Sequence, residues 1–98
     1  MTYDVIIKKE ALTDTQEAYD YYEQIKEGLG DRFLDKLEAS YQSLSSYPTN
    51  FGFIDNNQVL RDKLIAVFPY TIIYKIEGEN VIVVAVHNCH QHPDKRYR

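Results

Sequence analysis

The 98-residue chain has no tryptophan, one cysteine, one methionine, three prolines and four glycines. A lone cysteine cannot close an internal disulfide, which excludes a small secreted scaffold held by bridges and favours a reducing, cytoplasmic setting. Long apolar runs are missing as well: "VIVVAV" at 81–86 is far too short to span a bilayer. The opening "MTYDVIIKKE" places an acid before a three-residue apolar run and lysines after it, the reverse of a signal peptide's order. With no low-complexity or Gly/Pro/Ser-rich stretch to mark a linker, residues 1–98 read as a single domain with one core.

What is present is an acidic chain of uneven polarity. The net charge of −4 speaks against a general nucleic-acid binder, since phosphate contacts need a cationic surface. Residues 1–58 hold 5 Lys/Arg against 11 Asp/Glu, whereas residues 59–98 hold 6 against 4, so an anion-facing surface belongs to the C-terminal half.

"YDVIIKK" has the alternation and β-branching of a short strand. In "TDTQEAYDYYEQIKEGLG", Thr13 and Gln16 have capping-box spacing, and Ala18, Tyr22 and Ile25 share a helical face until Gly28 stops it. A second helix over 31–46 buries Phe33, Leu37, Tyr41 and Leu44 and turns Asp35, Lys36 and Glu38 outward. The short "GLG" makes the two an antiparallel hairpin. "YPTNFGFIDNNQ" reads as loop, and three strands follow, "VLRDKLIAVF", "YTIIYKIEG" and "NVIVVAVHN", with Gly78 and Asn80 able to supply positive φ at the "EGEN" turn. Their short turns predict an antiparallel meander, and the whole an α+β fold of order β-α-α-β-β-β, a helical hairpin packed on a mainly antiparallel four-stranded sheet. Three tyrosines, Tyr19, Tyr21 and Tyr22, ring the first helix, so one must leave the core face. The acids Asp14, Glu17, Glu23 and Glu27 read as solvated helix face.

"HNCHQHP" holds every histidine of the chain and its cysteine: His87, Cys89, His90 and His92. Three readings stand beside one another. As a metal site it lacks the second, separated ligand pair that structural zinc uses. As a catalytic cluster it offers imidazoles that transfer protons near neutral pH. As a strand end it is a polar exit that titrates nothing useful.

Taken together, "AYDYYEQI", "GLGDRFLDKLE", the closing "YP" and "FPYTIIYKIEGENVIVVAVHNCHQHPDK" resemble the RelE/ParE toxins of bacterial type II toxin-antitoxin pairs, the plasmid stabilisation family. The resemblance covers nearly the whole chain. It implies an intracellular toxin neutralised by a cognate antitoxin, which wraps it with a segment that is disordered until bound. Members divide between inhibition of DNA gyrase and ribosome-dependent cleavage of mRNA, and some have no known activity. No cofactor, metal or membrane association is implied, and the oligomeric state stays open.

Carried onto this sequence, the ribonuclease branch implies Arg61 and Lys63 as stabilisers of phosphorane charge, His90 as proton carrier, and Tyr97 as a base-stacking ring. Arg61 and Lys63 share a strand face by the period of two, and they suit equally an RNA phosphate, an acidic antitoxin tail or plain solvent. Where many relatives carry histidine, this chain has Asn88, its own histidines lying one residue before and two after. That departure, with the acidic balance, favours gyrase or an unknown target over mRNA, and leaves a non-toxic antitoxin-binding relative as a further alternative.

Overall fold

The computed structural model describes residues 2–90. Strand β1 (Asp4–Ile7) leads straight into helix α1 (Lys9–Ile25), and helix α2 (Leu29–Ser46) runs back along it. A 3₁₀ turn (Pro48–Asn50) and a loop precede β2 (Arg61–Leu64), β3 (Tyr70–Glu77) and β4 (Asn80–Asn88). The sheet order is β1-β4-β3-β2, with β1 parallel to β4 and the other pairs antiparallel.

Four local expectations need correction. Helix α1 starts at Lys9, so Thr13 lies inside it and caps nothing. The Lys8 N–H donates to Val83 O while Lys8 O accepts from Leu12 N–H, so strand pairing hands over to helix within one residue. The second helix opens at Leu29 rather than Asp31, on Gly28, whose φ of 87° is open to glycine at little cost. Strand β2 is four residues long instead of ten, because Val67 turns to φ 76° and the Ile65 N–H closes the turn onto Tyr70 O. At the β3–β4 turn Gly78 alone supplies positive φ, at the first central position that a II′ turn reserves for glycine, and Asn80 begins β4.

The helices bury Ala11, Ala18, Tyr22, Phe33, Leu37, Tyr41 and Leu44 against Tyr70, Ile72 and Tyr74 of β3 and Val81, Val83 and Val86 of β4. Ile25, placed by periodicity on the same stripe, is the last residue of α1 and 58% exposed. At one end five rings meet: Tyr22 stacks edge-on against Tyr21, Phe68 and Tyr70, with Phe33 tilted beside it. Tyr21 is the tyrosine that leaves the core, with its ring more than half exposed.

Candidate functional site

Pairing opposite Tyr74 and Ile72 puts Arg61 and Lys63 on the helix-facing side of β2, above buried Ile65. Both cations lie over rings of the preceding loop. The Arg61 guanidinium carbon is 3.9 Å from the Phe53 ring centre and the Lys63 Nζ 4.9 Å from that of Phe51, distances at which the negative face of a ring attracts a cation. Arg61 Nη1 also donates to Phe51 O at 2.6 Å and, more weakly, to Thr49 O at 3.4 Å. Arg61 is thus a latch that holds the loop to the sheet, reinforced by the pairing of Phe53 with Arg61.

The exit of β4 is ordered by a chain of polar contacts. Asn88 Nδ2 donates to the Tyr70 hydroxyl at 3.4 Å, and its Oδ1 accepts the His90 N–H at 2.9 Å. The Cys89 N–H donates to Pro69 O, and although the residue is exposed, partial desolvation of its thiol, with the negative charge of Asp62, pushes the thiol above its ordinary value. His87 is 5% exposed and pairs with Thr71 on the sheet face away from the helices, where the Thr71 hydroxyl donates to Asp62 Oδ2 at 3.1 Å. His90 is exposed. His92 and Tyr97 lie outside the described residues.

These candidates are not all brought together. Arg61 is level with Tyr74 and Val83, whereas Asn88 is level with Tyr70, two strands over. Four residue steps along β3 separate those levels, about 13 Å at strand rise. Lys63, opposite Ile72, is nearer the β4 exit than Arg61 is.

Two acids read as solvated are engaged. Asp14, 6% exposed, accepts the Val86 N–H at 3.0 Å, and Glu23 accepts the Gly30 N–H at 2.8 Å, which caps the first turn of α2. Asp14 had a signal in the sequence: it lies between Ala11 and Ala18 at helical spacing, on the stripe that Tyr22 continues. Together with Glu17, Tyr21, Tyr70 and Asn88 it lines a hollow of about 140 Å³ between α1 and the strand ends. Among the described residues no group of three or more His, Cys, Asp or Glu is placed to hold a metal ion. No described helix is long and apolar enough to cross a membrane.

A helical hairpin laid over a four-stranded sheet with one parallel edge is the architecture of RelE/ParE-like toxins. The family described as the ParE toxin of the type II toxin-antitoxin system parDE matches residues 5–93, and the chain belongs to that family. Among solved structures, the chromosomal ParDE system of P. aeruginosa is similar at TM-score 0.77 and 12% identity, over 89% of this chain and 96% of that one. The RelBE2 toxin-antitoxin complex of Mycobacterium tuberculosis is similar at TM-score 0.64 and 17% identity, over 90% and 99%. At these identities the likeness is one of fold. Comparison with curated proteins finds no match.

Proposed function

We propose that this protein is the toxin of a type II pair, that it acts by binding DNA gyrase rather than by cleaving mRNA, and that a cognate antitoxin neutralises it. Membership of the ParE family supports the toxin and its antitoxin. The engagement of Arg61 carries the choice of mechanism. A group that stabilises a transferring phosphate must face it, and a proton carrier must stand within hydrogen-bond reach of the same centre. Arg61 instead grips Phe51 O at 2.6 Å, and the register sets it two strands from the exit that leads to His90. The surface we assign to the target is that polar exit, Asn88 to His90, which the sequence continues into the cations Lys95, Arg96 and Arg98. The antitoxin has the helices: Leu12 and Leu34 are exposed and line a groove of about 410 Å³ along the hairpin.

Expression of the toxin without its antitoxin should arrest growth, and the purified protein should abolish supercoiling by gyrase while leaving translated mRNA uncut. Cut sites that vanish when Arg61, Lys63 and His90 are replaced by Ala would overturn this in favour of a ribonuclease. Normal growth at confirmed soluble expression would reduce the protein to a non-toxic antitoxin-binding relative.

A further inference from the structure

The Asp14 carboxylate bonds to β4 at the point where that strand leaves regular pairing. Tyr74 faces Val83 but Ile73 faces Ala85, so Val84 is an extra residue with nothing opposite it. A bulge of this kind disrupts the local ladder and turns the strand. Next to it the Val86 N–H is taken by Asp14 Oδ2 at 3.0 Å, a side chain 72 positions earlier in the chain. A charged acceptor on a buried N–H makes one of the stronger hydrogen bonds available to a protein.

The bulge changes which side chains face the helices. Upstream these are Val81 and Val83, and downstream Val86. As a result His87 pairs with Thr71 on the far face, and Asn88 pairs with Tyr70 on the helix side, beside Glu17 and Tyr21. Were the strand to slip by one residue, His87 and Asn88 would exchange faces.

We propose that Asp14 is a positioning residue for the toxin: its carboxylate pins the β4 bulge, and through it decides that Asn88 rather than His87 stands beside Tyr70 at the target-binding exit. The register half of this inference stands on the hydrogen bond and the pairing, and the functional half rests on the toxin reading above.

The test uses the full chain as Asp14→Ala and Asp14→Asn, each followed by NMR and by growth arrest. In Asp14→Ala, exchange of the Val86 amide should quicken by about tenfold to a hundredfold, as expected for loss of one buried hydrogen bond. The Tyr70–Asn88 contact should be lost and growth arrest abolished, while the contacts of Tyr22, Phe33 and Phe68 persist as proof of folding. Asp14→Asn keeps an acceptor oxygen and should retain both contact and arrest. Deleting Val84 removes the bulge without altering any pair, so Asp14→Ala in that background should keep the Tyr70–Asn88 contact, and this variant also decides the matter if the single substitution fails to fold. Unchanged Val86 exchange in Asp14→Ala, loss of the Tyr70–Asn88 contact even without Val84, or full growth arrest with the register lost would each overturn the proposal. A wild-type chain that does not arrest growth fails the toxin reading alone, and the exchange and contact measurements then decide the role of Asp14.

Discussion

Tyr74 ties the sheet to the 3₁₀ turn: its buried hydroxyl donates to Pro48 O at 2.6 Å across 26 positions. Replacing it with Phe leaves that carbonyl buried without its donor, an expected loss of about 1–3 kcal/mol, read as a lower urea midpoint at unchanged slope. Burial also pushes the phenols of Tyr74 and Tyr41 up to about 12 from the ordinary 10.0. Between those values the unfolded chain has released protons that the folded chain still holds. Stability is therefore full below pH 10 and falls as the pH climbs towards 12, by an amount on the order of a few kcal/mol for the two together. Urea titrations across that range check it, and Tyr74→Phe should show the shallower decline. Val67 is a different case, a β-branched residue at φ 76° that is 76% exposed in the β2–β3 turn. Asparagine tolerates that conformation better, so Val67→Asn should raise stability by about 0.5–1 kcal/mol in the same assay.

At the scale of elements, the hairpin depends on one close approach. A Cβ at Gly30 would stand 2.7 Å from both Glu23 Cγ and Tyr19 Cδ2, so Gly30→Ala must push α1 aside or break the Glu23 cap. The expected cost is about 1–3 kcal/mol, seen as a lower thermal midpoint, and it should exceed that of Ala at Gly52, where a Cβ meets open space. The two helices were legible in the sequence because their stripes repeat with the helical period: Phe33, Leu37, Tyr41 and Leu44 are all buried as expected. Their starts were not. Whether Thr13 caps or Lys8 does depends on the partner β1 finds, and that partner is Val83. Strand β2 was overestimated for a related reason, since "VLRDKLIAVF" has strand composition throughout and only the turn to Tyr70 cuts it short.

For the molecule as a whole, the long loop before β2 is held by Arg61 through two carbonyls and a ring. Arg61→Ala should release it, so that limited proteolysis cuts between residues 50 and 60 sooner than in wild type or in Lys63→Ala, with the core helices still intact. Such a release also separates a scaffold role from a chemical one, because a variant that loses the latch yet still arrests growth cannot owe its toxicity to that guanidinium. The sequence by itself determined the order of elements and the stripes they bury, because these are written in spacings of a few residues, and motifs matched along nearly the whole chain carried the likeness to RelE/ParE toxins. Tertiary structure alone decided that Arg61 grips a loop, that Asp14 reaches Val86, and that Asn88 rather than His87 takes the helix-facing side of the sheet. Those outcomes turn on strand register and on hydrogen bonds between residues as many as 72 positions apart, which no local period records.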